Sequence, residues 1–196
     1  MLSNAAGRMA PLDPQAPGPT ANATWSPDGR YVIYTRAVGG QNEVARIRPG
    51  STTAEILALS QPGGPARFRV PLAWSPDGTQ ILARSGGSKP QLFLVAPDFT
   101  SERPLPSRLL FEPMGFSKDG RNVIGMHRNT SGTGAQWQLW SVELSSGRER
   151  LVADVDLPAS AMGLAGFSLH PDGTRFVTSL GLWPSQIWML EGFDRH

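Results

Sequence analysis

Four aspartates, each followed directly by glycine, are the residues of this sequence best placed to do chemistry: Asp28, Asp77, Asp119 and Asp172. Gathered at one point, four carboxylates would hold a divalent cation or share acid–base work. Three histidines, His127, His170 and His196, are the remaining candidate bases or ligands. Ser117 and Ser168 each follow Gly-Phe and come near the Gly-x-Ser-x-Gly elbow that exposes a nucleophile.

Spacing argues against each of these readings. The aspartates are dispersed along the chain, and each sits in its own turn, where an Asp side chain bonds its own backbone. Both serine candidates lack the final glycine of the elbow. With three scattered histidines and no cysteine, a transition-metal site has no donor set. Asp154-Val155-Asp156 lacks the glycine and distal glutamate of a calcium loop. The glycine-rich stretches 85–89 and 131–134 precede no helix and read as hairpin loops rather than phosphate cradles. No catalytic, cofactor-binding or metal residue is therefore assigned, and no activity is expected.

The elements that carry the aspartates repeat. Trp25-Ser26-Pro27-Asp28-Gly29, Trp74-Ser75-Pro76-Asp77-Gly78, Phe116-Ser117-Lys118-Asp119-Gly120 and Leu169-His170-Pro171-Asp172-Gly173 start 49, 42 and 53 residues apart. Proline fixes φ for the first turn position, Asp accepts from the backbone, and Gly takes positive φ. Strand-forming residues follow each copy: 30–34, 79–83, 121–125 and 174–178. A further strand is expected at 43–47, 91–96, 138–142 and 186–190, and a more polar one at 54–59, within 102–110 and at 148–152. One more precedes each turn. Each unit thus has four strands, a to d, with the turn between a and b. Period and strand count are those of a β-propeller blade. The units run over about 21–60, 68–111, 112–153 and 163–193. The fold class is all-β. Trp25, Trp74 and Phe116 are expected to be buried between blades, and Trp137, Trp140 and Trp188 to serve packing.

These repeats resemble those of the TolB-type β-propeller family, distant relatives of WD-repeat propellers, over nearly the whole chain. The last unit, with His170-Pro171-Asp172-Gly173 and Gln186 to Phe193, is similar to the end of propellers fused behind bacterial Ser/Thr protein kinases. The kinase motifs themselves are absent: His127-Arg128-Asn129 lacks the catalytic Asp. Two explanations fit the N-terminal region. Residues 8–12 read as an outer strand d, which completes the last blade of the same chain or of a partner chain, or the sequence is part of a larger propeller. Residues 13–19 read as a Pro-rich connector.

Composition limits function. Hydrophobic residues make up 39% and charged residues 17% of 196 residues, enough to bury a core. Net charge is +2, and Lys89 and Lys118 are the only lysines; acids and arginines are interspersed, so no basic stripe marks a nucleic-acid footprint. No apolar run reaches the roughly 20 residues of a membrane span. The residues predict a non-enzymatic interaction or ligand-sensing module with a protein or peptide partner. The TolB resemblance implies a protein partner in an envelope complex and an extracytoplasmic setting. The alternative is the propeller portion of a larger enzyme, behind a kinase or gating a prolyl-oligopeptidase-type peptidase.

Overall fold

In the computed structural model, residues 2–3, 9–60, 68–86, 90–107, 112–129, 136–157, 163–169, 175–181 and 186–191 are described. All of their regular structure is β. A small hairpin pairs β1 (Leu2–Ser3) with β2 (Met9–Ala10). The first blade joins β3 (Thr20–Trp25), β4 (Val32–Val38), β5 (Gln41–Ile47) and β6 (Glu55–Leu59). The second joins β7 (Arg69–Trp74), β8 (Ile81–Ser85), β9 (Leu92–Val95) and β10 (Glu102–Pro104). The third joins β11 (Glu112–Phe116), β12 (Asn122–Asn129), β13 (Gln136–Glu143) and β14 (Glu149–Val155). The fourth joins β15 (Gly163–Leu169), β16 (Arg175–Gly181) and β17 (Gln186–Glu191). Within each sheet, strands pair antiparallel in sequence order. Among the described residues, no helix is long and apolar enough to cross a membrane.

The chain divides into two compact units, Met1–Pro104 and Leu105–His196, with two blade sheets each and the small hairpin in the first. In the first unit, the second blade packs on the first. Ile33 and Val44 of the first sheet and Ile81 of the second form one buried cluster, closed by Trp74, Phe68 and Phe99. Phe99 lies in the turn between β9 and β10 with φ 60°, where the first and third sheets have Gly50 and Gly147. Its ring packs against that cluster, which offsets the backbone strain of a bulky residue in this region. In the second unit, Met126, Trp137, Leu139 and Val155 of the third sheet bury Phe176 of the fourth.

Strand a bulges in every sheet, between Ala21 and Thr24, Pro71 and Ala73, Pro113 and Gly115, and Ala165 and Phe167. Two prolines lie at these bulges, because an edge strand next to a bulge is where a sheet tolerates a missing N–H. In the first sheet the bulge holds Asn22 at φ 54°. Its Nδ2 donates to Thr35 Oγ1 at 3.0 Å, and Thr35 Oγ1 donates to the Ala21 carbonyl at 3.0 Å.

Three expectations change. The outer strand expected at residues 8–12 belongs to no blade: Met9–Ala10 pairs with Leu2–Ser3, and Leu12 packs on Val32, Tyr34, Ala45 and Ile47 of the first sheet. Residues 13–19 are more than a connector. The Asp13 carboxylate accepts from the Tyr34 hydroxyl and lies 3.2 Å from Arg36 Nη1, whose Nε bonds Glu43 at 2.7 Å. This pins the segment across the first sheet. Finally, Trp25 is not buried; it is 47% exposed. Phe116 is buried and Trp74 is half-buried against the preceding sheet. The register explains the contrast. Trp25 pairs with Val32 and Trp74 with Ile81, so each shares the face that looks to the preceding blade. Among the described residues, that face of the first sheet is covered by Leu12 and Ala54.

Substitution should therefore separate two tryptophans of the same motif. Trp74→Ala is expected to destabilise by about 3–5 kcal/mol, and Trp25→Ala by no more than about 0.5 kcal/mol. Trp74 Nε1 is buried without a hydrogen-bond partner, so Trp74→Phe should cost less than about 1.5 kcal/mol. Urea unfolding midpoints of the three variants check this ordering.

Candidate interaction surface and the repeated turns

The three described turns share one hydrogen-bond design. In the first, Ser26 Oγ donates to Asp28 Oδ1 at 2.6 Å and accepts from the Tyr31 N–H at 3.0 Å. The same Oδ1 accepts the Arg30 N–H at 3.0 Å. In the second turn, Ser75, Asp77, Thr79 and Gln80 repeat these contacts at 2.6, 2.9 and 3.0 Å. In the third, Ser117, Asp119, Arg121 and Asn122 do so at 2.6, 3.0 and 3.1 Å. Gly29, Gly78 and Gly120 have φ of 67°, 72° and 70° and donate to the serine carbonyls at 2.9 Å. This left-handed geometry is why glycine ends each motif. Asp172 and Gly173 lie outside the described residues, as do most of the two glycine-rich loops.

The serine is the residue that sequence reasoning missed. Pro, Asp and Gly explain a turn, but Ser26, Ser75 and Ser117 tie its two ends together. Its presence in three of the four motif copies was the available signal. Hydrogen bonds from the serine and from the backbone hold the carboxyls of Asp28, Asp77 and Asp119 below the usual carboxylate range. Each carboxylate is thus committed to its own turn. Among the described residues, no group of three or more His, Asp or Glu stands where it could hold a metal ion.

Among the described residues, one exposed stretch open to a partner lies on the first blade. Strand β3 is an edge strand, and Thr20, Ala21, Asn22 and Ala23 are exposed with Trp25. Around the next strand, the Tyr31 ring is flanked by Arg46 and Arg48, whose guanidinium carbons stand 4.8 and 5.0 Å from its centroid. Arg46 is paired with Glu55, and Arg48 donates to the Tyr31 hydroxyl at 2.7 Å. On the second blade, the Arg69 guanidinium stacks 3.7 Å over Phe93 and reaches Glu102 at 2.7 Å.

Solved structures decide the fold. The chain superposes on a putative TolB from Agrobacterium tumefaciens with a TM-score of 0.63 and 18% identity, covering 89% of this chain and 62% of that one. The fold is that of a TolB-type β-propeller. TolB from Acinetobacter baumannii gives a TM-score of 0.57 at 16% identity, over 86% of this chain and 42% of that one. The sequence therefore spans less than two thirds of either TolB chain. An oligogalacturonate lyase in complex with manganese has the same fold, with a TM-score of 0.52 and 12% identity over 92% of this chain and 68% of that one. Propeller neighbours of this chain thus include an enzyme as well as TolB, and the fold alone assigns no activity. No protein-family model matches the chain, and no curated protein does. Nothing in these comparisons bears on the likeness of the last unit to kinase-linked propellers, and His170, Pro171, Asp172, Gly173, Gly192 and Phe193 lie outside the described residues.

The turns predict an acid response. A carboxyl whose pKa is lowered by folding stabilises the fold above its unfolded value of about 4, and that stabilisation is lost as pH falls through the lowered value. Stability should therefore decline as pH drops from neutral to below about 4, and Asp77→Asn should flatten the decline. Ser75→Ala removes the acceptor of the Gln80 N–H and the donor to Asp77; it should cost about 1–3 kcal/mol at neutral pH. Denaturant titrations across pH check both.

Proposed function

We propose that this chain is a non-enzymatic protein-interaction module of the TolB type, with Trp25 and strand β3 as its contact surface. The observation that carries this reading is the exposure of Trp25. A tryptophan at this motif position packs on a neighbouring sheet in the second blade, while here its ring stands open beside residues no larger than Thr and Asn. Aromatic side chains of this kind anchor protein interfaces, and small neighbours let a partner backbone approach. The edge of β3 adds main-chain groups that a partner strand can pair. Asp28, Asp77 and Asp119, three of the other candidates for chemistry, are occupied in their own turns, which supports binding over catalysis. The resemblance to TolB-type repeats favours a protein partner and an extracytoplasmic setting.

A photo-crosslinking residue placed at position 25 in the producing cell tests this. It should give a discrete protein adduct, and the same residue at Glu55, exposed on β6, should not. Adducts of equal yield at both positions, or none at 25, would overturn the reading.

A further inference from the structure

Tyr31 directly precedes β4, and Arg48 directly follows β5. The register pairs Val32 with Ile47 and Ile33 with Arg46, which sets Tyr31 beside both arginines. Trp25 pairs with Val32, so alternation puts it on the opposite face. Arg48 Nη2 donates to the Tyr31 hydroxyl at 2.7 Å, and Arg46 bonds Glu55 through Nε and Nη2 at 3.2 and 2.7 Å. Both guanidiniums also lie against the Tyr31 ring. Two long side chains are thereby held in place before any ligand arrives, so less ordering entropy is lost on binding.

Two of these groups keep unused capacity. Tyr31 Oη accepts from Arg48, and its own proton has no acceptor among the described residues. Arg48 is exposed and has no acidic partner among the described residues. The acids of this region are committed elsewhere. Glu55 holds Arg46, and Asp28 holds its own turn. Asp98, close enough to feel the Arg46 charge, accepts from the Thr100 hydroxyl and N–H at 2.7 and 3.1 Å. The trio is not a requirement of the repeat. The same register puts Gln80, Leu94 and Ala96 at these positions in the second sheet, and Asn122, Ser141 and Glu143 in the third. Blade packing therefore does not account for a tyrosine flanked by two arginines.

We propose that Tyr31 and Arg48, with Arg46 packing the ring in place, form a carboxylate-binding site for an acidic peptide segment of another protein. The phenol oxygen and the guanidinium nitrogen stand 2.7 Å apart. One carboxylate oxygen accepts the phenol O–H and the other a guanidinium N–H, side by side, as in a bidentate arginine–carboxylate pair. Arg30, Arg46 and Arg48 are matched in number by Asp28, Glu55 and Asp98. Surroundings so close to neutral suit carboxylates met one at a time over the uniform negative charge of a nucleic acid or an anionic membrane. The site adds a second contact to the one at Trp25 and does not depend on it.

Fluorescence anisotropy of a labelled peptide of alternating Gly and Glu, titrated with the purified full chain, tests this. The wild type should bind it saturably, and the same peptide with Gln for Glu should not bind. Tyr31→Phe and Arg48→Gln should each raise the Kd about tenfold, the loss of one hydrogen bond to a charged group. Arg48→Lys keeps the charge but loses the fork, and should weaken binding in the same sense. Arg30→Gln removes the same charge from a neighbouring exposed side chain; at about 0.15 M salt, where distant charges are screened, it should change the Kd less than about twofold. Circular dichroism and urea midpoints establish that each variant is folded, and Arg48→Lys carries the test if Arg48→Gln is not. No saturable binding by the wild type, equal binding of the Gln peptide, or a Kd indifferent to Tyr31→Phe or to the Arg48 variants would each overturn the proposal. So would a loss in Arg30→Gln as large as that in Arg48→Gln, which would make the effect one of net charge. Displacement of the peptide by inorganic phosphate at lower concentration than by acetate, at matched ionic strength, would overturn the carboxylate assignment.

Discussion

In the first two blades strand b is buried on both faces, and this governs how they pack. Val32, Ile33, Tyr34 and Thr35 are buried in succession, as are Ile81, Leu82 and Ala83. A sheet with one wet face would alternate. A sheet apolar on both faces is not stable alone, because each buried aliphatic contributes about 1.5–3 kcal/mol only when a neighbour covers it. Repetition meets this requirement within each unit: the second blade covers the first, and the third and fourth share a buried cluster. In the first unit, Trp74 ahead of the turn and Ile33 in the middle of strand b are the two sides of that cover.

Where the first blade looks away from the second, cover comes from chain that is not a blade. Leu12 meets the apolar face, while Asp13 bonds Tyr34 and Arg36, and Arg36 also holds Glu43. Burial and the adjacent carboxylate push the Tyr34 phenol up, so it stays a neutral donor. An ionised group this enclosed is tolerable only with partners; removing Asp13 would leave Arg36 with Glu43 and take away the acceptor of the Tyr34 hydroxyl.

The parts of this architecture that were legible in the sequence are the local ones. Turns were legible because Ser-x-Asp-Gly is complete within five residues, and strands because β-branched and aliphatic residues follow each turn. The fate of Trp25 was not legible. Its motif is identical to that of Trp74, and the difference lies in what stands across from it, which no local pattern carries. Residues 13–19 were misread for the same reason: their proline content marks a connector, while their role depends on Tyr34 and Arg36 some twenty residues later. The strand bulges left a signal in Pro71 and Pro113, prolines inside otherwise regular strands. Val177 was legible as strand but not as exposed, since exposure is a property of the assembled sheets.

The six-residue closure of each turn, from the Ser26 N–H to the Tyr31 carbonyl and its counterparts at Ser75 and Ser117, also sets an order of events. Such a loop closes at little entropic cost and needs nothing beyond itself. The a–b hairpin of each blade can therefore form while the following blade is still being synthesised. Cover for the Ile33 face of the first strand b comes from the second blade, so along the chain that hairpin precedes its own cover.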